Sequence, residues 1–234
     1  AWLHDCGKVA TPPHVVDKGT KLETIFDRIE LIKTRMELLK KDQEIAFLKR
    51  QLNGQSNIEF DDEYNKAISE LDSSMKFLEE CNVGGEFMKP ELQEKVRSIG
   101  AKKLNIFNRE QPFLSEEEIQ NLNIPKGTLL PDEREIINDH IVITIEMLEQ
   151  LPYPKNLKNI PEFAGGHHEK MDGTGYPKGL NESQMSTQAK IMAIADIYEA
   201  LTAADRPYKE GKKLSQAMRI MGFMKNDYHI DEEL

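Results

Sequence analysis

The sequence lacks the features that would assign it to a membrane, secreted or nucleic-acid-binding class. It has no apolar run long enough to cross a bilayer and no stretch typical of a signal peptide. Its two cysteines, Cys6 and Cys81, lie far apart without a Cys-x-x-Cys partner, so we expect no disulfide framework and a cytoplasmic protein. The formal net charge of −10 argues against binding to nucleic acid.

What the sequence does contain is charge and helical periodicity. A chain of 234 residues can bury one sizeable core, with room for a smaller appended unit. Its long segments have helical spacing, which predicts an all-α protein. The first residues, Ala1-Trp2-Leu3, look like the middle of a helix with no cap before it. We therefore expect that the natural N-terminus is missing.

The stretch from Ala164 to Pro177 has the residue types of a metal site. It reads AGGHHEKMDGTGYP, with adjacent histidines at His167 and His168. Imidazole and carboxylate are the usual ligands of first-row transition metals, and the glycines allow the backbone to approach a ligand closely. Adjacent residues need not share a target, so the case depends on what else in the chain could reach the same ion.

A second candidate group lies at the start of the chain. His4 and Asp5 place two metal-capable side chains at one spot, Gly7 permits a helix to end, and Lys8 could neutralise a neighbouring anion. A surface His-Asp pair is the ordinary alternative for such a dipeptide.

Residues 21–80 have the pattern of an antiparallel helical hairpin. Apolar residues recur at a spacing of three and four in 21–52 and again in 61–80, on either side of a turn at 53–57. A structural or dimerising hairpin is the simplest interpretation, since no chemistry is visible there. Residues 82–130 are read as rich in loops, with a short helix from Pro90 to Gly100 and a capping box formed by Ser115 and Glu118.

Two further helices carry candidate ligands. The pattern from Pro131 to Leu151 predicts one helix with His140 among apolar residues, where a histidine is more often part of the core than a metal ligand. Residues 187–204 leave almost no polar face and predict a buried helix. Asp196 in its middle would then need a metal, an arginine or dedicated donors. Arg206 and Lys209 follow as cations available to phosphate, before a closing helix with Leu214 and Met221.

Together these motifs resemble, in composition and order, the HD-GYP family, a bacterial branch of the HD metal-dependent phosphohydrolases. The resemblance covers residues 1–18 and about 125–234, which predicts a catalytic domain interrupted by an insertion at 19–124. It implies an all-α fold, an HD-superfamily helical bundle around a metal centre, here with the inserted hairpin. It also implies hydrolysis of cyclic di-GMP in bacterial signalling, with two or three divalent ions, iron or manganese, as cofactors.

The resemblance implies a role for each matching residue. The metal ligands would be His4, Asp5, His140, His167, His168 and Asp196, with Asp5 bridging two ions. Lys8 would assist the leaving oxygen as a catalytic residue beside Asp5. Phosphate and substrate contacts would come from Lys8, Arg206, Lys209 and the loop Gly175, Tyr176 and Pro177.

Some expectations depend on how this chain departs from the family. The family has a further ligand histidine on a helix before the His-Asp pair, and its absence here would weaken one metal site. The alternative to an enzyme is therefore a catalytically incompetent module that binds cyclic di-GMP or a protein partner; a third hypothesis is hydrolysis of other nucleotides. The 21–80 hairpin could form a homodimer, and the Gly175–Pro177 loop could contact a signalling protein.

Overall fold

The computed structural model describes residues 2–54, 58–85, 87–203 and 211–234, with the backbone alone at 58 and 59. The elements in chain order are α1 (Pro13–Val16), α2 (Ile29–Leu52), α3 (Ile58–Asn82), α4 (Pro90–Gly100), β1 (Lys103–Ile106), β2 (Arg109–Pro112), α5 (Glu116–Leu122), α6 (Pro131–Asn138), α7 (His140–Glu149), α8 (Ile160–Gly165), α9 (Thr187–Thr202) and α10 (Leu214–Asn226). Short 3₁₀ helices cover Cys6–Ala10, Lys155–Leu157 and Glu182–Gln184. The predicted all-α class is confirmed, with a two-stranded sheet as an addition.

The chain forms two compact units. One contains Ala1–Asp17 and Pro131–Leu234, and the other contains Lys18–Leu130. No helix among the described residues combines the length and the apolar character that a membrane crossing requires.

The Lys18–Leu130 unit is built on the predicted antiparallel hairpin of α2 and α3. Ile32, Met36 and Leu39 of α2 are buried in one core with Leu71 and Leu78 of α3. The opposite directions of the two helices are evident from ion pairs: Lys33 Nζ lies 3.0 Å from Glu79 Oε1, and Arg50 Nη1 lies 3.9 Å from Glu63 Oε2.

The first helix of the hairpin begins later than the sequence pattern predicts, at Ile29 instead of residue 21. Acidic side chains bind backbone N–H groups in the intervening turn, since Glu23 Oε2 accepts from Gly19 N at 2.8 Å and Asp27 Oδ1 accepts from Ile29 N at 3.0 Å. Such side chain to backbone bonds offer the chain an alternative to helical pairing.

The stretch at 82–130 has more regular structure than the sequence indicated. Helix α4 and the Ser115–Glu118 capping box are present as predicted. Between them lies an unpredicted β-hairpin, in which β1 pairs antiparallel with β2. Its two-residue turn places Phe107 and Asn108 at φ of 54° and 58°. Phenylalanine is uncommon at positive φ and the usual Asn-Gly signal is missing, so the pattern gave no warning of this turn.

The unit that contains Pro131–Leu234 differs from the predictions in three ways. Residues 2–5 form a turn rather than a helix. The predicted helix from Pro131 to Leu151 is interrupted at Asp139. Beside this break, His140 Nδ1 forms a hydrogen bond with the carbonyl oxygen of Ile137. Helix α9 is not buried within the described chain, because α8 and α10 cover only the face that carries Ala189 and Ala193, while Ile191 is 50% exposed.

Asn82 ties the end of α3 to the turn before α2. Its side chain is buried, accepts from Leu22 N at 2.9 Å and donates to Asp27 Oδ2 at 2.8 Å. Asn82→Ala would leave the Leu22 N–H unpaired, and we expect a loss of about 1–3 kcal/mol in the free energy of unfolding of this unit. Urea denaturation followed by circular dichroism measures it.

Asn65→Ala, at an exposed position of the same helix, is the matched control. We expect the control to change the free energy of unfolding by less than about 0.5 kcal/mol. Equal losses in the two variants would show that the Asn82 contacts do not stabilise the fold.

Candidate metal centre

The His4–Asp5 segment reaches the centre through a close backbone approach at Gly7. A Cβ atom at Gly7 would lie 2.0 Å from the carbonyl oxygen of His140 and 2.7 Å from Thr144 N. The Gly7 N–H donates to Thr144 Oγ1 at 2.9 Å, and both groups are buried. Only glycine fits this contact, and it brings the start of the chain against the first turn of α7.

The buried histidines are oriented by backbone carbonyls three residues earlier. His167 Nδ1 lies 2.6 Å from Ala164 O, and His140 Nδ1 makes the same kind of bond to Ile137 O. This bond at Nδ1 turns Nε2 toward the centre, and Nε2 is the atom with which such a ring would bind metal. The His140 and His167 Nε2 atoms both point toward the carboxylate of Asp5.

Short distances join the predicted ligands into one centre. Asp5 Oδ1 lies 3.2 Å from His140 Nε2 and 3.7 Å from His167 Nε2. Its other oxygen, Oδ2, lies 3.6 Å from His4 Nε2, which in turn lies 3.2 Å from Asp196 Oδ1. The carboxylate of Asp5 therefore faces one set of ligands with each oxygen.

The donor atoms fall into two overlapping groups. Within each group the atoms lie within 4.8 Å of one another, and His167 belongs to both. The groups are Asp5, His140, His167 and His168, and His4, His167 and Asp196. The sequence reasoning had placed all six residues in one site, and the fold brings all six together.

Within the part of the chain that the structure describes, three atoms at the centre are buried without a hydrogen-bond partner: Asp5 Oδ1, His140 Nε2 and His167 Nε2. Buried polar atoms are normally paired, and an unpaired group costs about 1–3 kcal/mol. A divalent cation among them would satisfy all three, because each is a lone-pair donor of the type that transition metals bind. The residues present therefore fit a divalent metal.

The electrostatics of the centre suit cation binding. Burial disfavours the charged form of Asp5, but the approach of His140, His167 and Lys8 outweighs it and holds the pKa of that carboxyl well below its usual range. Burial, followed by the repulsion of His167 and His140, lowers the pKa of His168 to about 3. The carboxylate is thus ionised and the imidazole neutral near pH 7.

Lys8 lies at the edge of the centre, and Asp196 is less buried than the sequence predicts. Lys8 Nζ lies 2.5 Å from Asp5 Oδ2, and its side chain is 41% exposed, so it stands at the edge of the centre. Asp196 was expected to be fully buried, yet its side chain is 25% exposed because the face of α9 that carries it is only partly covered. The nearest candidate ligand is His4, whose Nε2 lies 3.2 Å from Asp196 Oδ1.

Glu169 anchors the segment 175–180, which begins with the loop Gly175–Pro177, next to the candidate ligands. This carboxylate is almost fully buried and accepts from Lys178 N at 2.7 Å and Leu180 N at 2.9 Å. Gly175 packs so closely that a Cβ atom there would lie 2.4 Å from Glu169 Cα. Glu169 therefore holds the loop and is not one of the clustered metal-capable residues, although it directly follows the two histidines.

The same loop stacks Tyr176 on a candidate ligand. The Tyr176 ring lies 4.9 Å from the His168 ring at an angle of 16°, and its backbone N–H donates to His168 O at 3.2 Å. Burial, with the nearby charge of Asp196, raises the pKa of Tyr176 to about 12. Its hydroxyl stays neutral over the range in which proteins function.

Two predicted phosphate contacts, Arg206 and Lys209, lie outside the described residues. Two anchoring residues were missed by the sequence reasoning, Thr144 and Glu169. The signal for Glu169 was present, because a carboxylate so close to a glycine-rich loop can bind its N–H groups. Thr144 had no signal, since its partner Gly7 is 137 residues away in the chain.

The Gly7 contact makes a direct prediction. Gly7→Ala has no room for its methyl group against α7, so we expect at least a tenfold loss of Mn(II) affinity with the helical circular dichroism signal retained. Equilibrium dialysis followed by elemental analysis measures bound metal. Gly222→Ala in α10, where nothing lies within 4 Å of the added carbon, is the control and should bind metal normally. Normal binding by Gly7→Ala would contradict the assignment of the centre.

The chain matches a known family over the part that carries four of the six candidate ligands. Residues 116–234, just over half of the chain, match the model of the HD domain family. A 3′3′-cGAMP-specific phosphodiesterase of Vibrio cholerae is 38% identical over 95 residues, which cover 41% of this chain and 20% of that protein. A cyclic di-GMP phosphodiesterase of Thermotoga maritima is 40% identical over 93 residues, which cover 40% of this chain and 25% of that protein.

A cyclic di-GMP phosphodiesterase of Pseudomonas aeruginosa is 51% identical over 55 residues, or 24% of this chain and 13% of that protein. The chain thus spans only a minor part of the curated relatives it matches. The family match, these relatives and the motif set at 167–177 agree, and they show that the chain belongs to the HD domain family, in its HD-GYP branch.

Proposed function

We propose that this chain is a metal-dependent phosphodiesterase that hydrolyses cyclic di-GMP to the linear dinucleotide or to GMP. The observation that carries the proposal is the convergence of six histidine and aspartate side chains, with three buried ligand atoms that have no hydrogen-bond partner among the described residues. Membership of the HD domain family implies divalent-metal binding. The relatives named as cyclic dinucleotide phosphodiesterases supply the substrate class.

The ligand roles follow from the two overlapping groups. Asp5 would hold metal through both of its oxygens, because one faces His140 and the other faces His4. His168 completes the first group and Asp196 the second. Two or three ions, iron or manganese, are the proposed cofactors, since imidazole and carboxylate donors suit both metals.

In the proposed reaction, water cleaves one phosphodiester bond of cyclic di-GMP. When bound, the metal ions lower the pKa of water and neutralise charge on the phosphate. The oxygen of water bonds to phosphorus, the bond from phosphorus to the 3′-oxygen breaks, and that oxygen receives a proton. Lys8 is the proposed catalytic residue for this last step, because its ammonium lies at the edge of the centre against Asp5.

Substrate contacts are proposed for the groups that surround this centre. Lys8 can pair with a phosphate at the exposed rim, and Arg206 and Lys209 are proposed as further phosphate partners. Tyr176, stacked on His168, presents one wall of the site together with Gly175 and Pro177. The same loop is the proposed contact for a signalling protein.

The assignment of a catalytic domain and an insertion to the two parts of the chain is also a proposal. Residues 1–18 and 125–234 would form the catalytic domain, which agrees with the location of every clustered donor in the unit that contains Pro131–Leu234. Residues 19–124 would be an insertion, since they contribute no member of the metal-capable groups found among the described residues.

Removing one ligand from each group tests the proposal. We expect Asp5→Asn and Asp196→Ala each to lower the rate of cyclic di-GMP hydrolysis more than about 100-fold, beyond what loss of an outer partner of a metal ligand usually causes. The assay is anaerobic incubation with Fe(II) or Mn(II), followed by chromatography of the nucleotides. Asp132→Asn, at an exposed position of α6, is the matched control.

The outcome separates enzyme from binding module. Hydrolysis by the wild type that both variants lose supports the enzyme. A wild type that binds the dinucleotide without consuming it over hours would contradict catalysis by this chain. Parallel reactions with 3′3′-cGAMP and with mononucleotides decide whether cyclic di-GMP is the preferred substrate.

A further inference from the structure

Helix α6 ends beside the candidate metal centre and carries an exposed cation. The carbonyl oxygen of Ile137, in the last turn of α6, forms a hydrogen bond with Nδ1 of His140 and so fixes the helix next to a candidate ligand. Arg134 lies three residues before Ile137, and residues at this spacing lie on the same side of a helix. The side chain of Arg134 is exposed, so its guanidinium is open to a ligand that approaches the centre.

A chain of rings connects this end of α6 to Tyr176. The centroid of the His140 ring lies 5.3 Å from that of His168, and the His168 centroid lies 4.9 Å from that of Tyr176. The charge of Arg134 acts on the same tyrosine, because burial and Asp196 raise the pKa of its hydroxyl and Arg134 opposes the rise. The guanidinium therefore lies close to the wall of the centre that Tyr176 forms.

Arg134 is available to an anion from outside the chain. Within the described residues no carboxylate forms an ion pair with it. Its neighbours Glu133 and Glu135 are acidic, but side chains one residue apart on a helix point in different directions. A guanidinium can bind a phosphate through two parallel N–H bonds. The position thus suits a phosphate contact.

Lys8 and Arg134 are associated with different oxygens of the Asp5 carboxylate. Lys8 Nζ pairs with Oδ2, the oxygen that also faces His4. The other oxygen, Oδ1, faces His140, the ring to which the end of α6 is bonded. A cyclic dinucleotide carries two phosphates on opposite sides of its ring. One cation on each side of the centre therefore suits a substrate with two phosphates.

We propose that Arg134 is a substrate-binding residue, which pairs with the phosphate of the cyclic dinucleotide that is not cleaved. The contact consists of charge-assisted hydrogen bonds from the guanidinium to phosphate oxygens. It holds the substrate in place and takes no part in breaking the bond. Arg134 thereby favours cyclic dinucleotides over phosphodiesters with a single phosphate. This inference rests on the proposed function, because it requires a substrate with two phosphates.

Steady-state kinetics of Arg134→Gln with Mn(II) are the first test. We expect KM for cyclic di-GMP to rise about tenfold with kcat unchanged, because one charge-assisted contact is lost and the metal ligands are intact. Bis(p-nitrophenyl) phosphate, which has a single phosphate, should be hydrolysed as by the wild type. Arg219→Gln, at an exposed position of α10 in the same unit, removes the same charge and should change neither reaction.

Binding without turnover is the second test. Isothermal titration calorimetry with a phosphorothioate analogue of cyclic di-GMP measures affinity for proteins that carry equal amounts of Mn(II). We expect Arg134→Gln to bind the analogue about tenfold more weakly than the wild type. Arg134→Lys keeps the charge but lacks the planar pair of donors, so its affinity should lie between those of the wild type and Arg134→Gln.

Two results would overturn the role of Arg134 alone. Unchanged KM and affinity in Arg134→Gln, with an active wild type, would show that Arg134 does not contact the substrate. Equal losses on cyclic di-GMP and on bis(p-nitrophenyl) phosphate, or a loss of bound Mn(II), would assign Arg134 a structural role. A wild type that neither binds nor hydrolyses cyclic di-GMP at saturating Mn(II) would overturn the proposed function as well, and this failure is recognised because it occurs without any substitution.

Discussion

The close contact between Gly7 and the first turn of α7 is the constraint on which the candidate site depends. There is no room for a side chain at Gly7, and its N–H is satisfied by Thr144 Oγ1 in a buried setting. This contact joins two parts of the chain that are far apart in sequence and places Asp5 beside His140. Without it the His-Asp pair would be an ordinary surface dipeptide. A single backbone approach thus turns two weak sequence signals into one centre.

The centre also resolves how an acidic protein could bind a dianionic substrate. The chain carries a net charge of −10, which would repel a cyclic dinucleotide at long range. Ionised Asp5 and neutral His168 are poised for cations rather than for the substrate itself. Bound cations would invert the local potential, and Lys8 adds a positive charge at the rim. Affinity for the proposed substrate, cyclic di-GMP, is therefore expected to depend on the metal.

The sequence was most informative where a motif combined residue type with order along the chain. All six candidate ligands were named from it, because the order of its His-Asp, histidine-helix, His-His and lone-Asp motifs resembles that of the HD-GYP family. It was less informative about packing. The exposure of α9 and the break at Asp139 depend on packing against neighbouring segments, which the periodicity of the sequence does not show. The turn of the β-hairpin contains Phe107 at a positive φ, a conformation that phenylalanine rarely adopts. Glu169 was visible in the sequence, but its role as the anchor of the 175–180 loop required the fold.

The central claim is that these side chains hold divalent metal. Crystals grown with Mn(II), with diffraction recorded at the manganese absorption edge, test it most directly. The account predicts anomalous density in contact with the Asp5 carboxylate and with Nε2 of His140 and His167. Density only elsewhere on the surface, or none at saturating Mn(II), would contradict it.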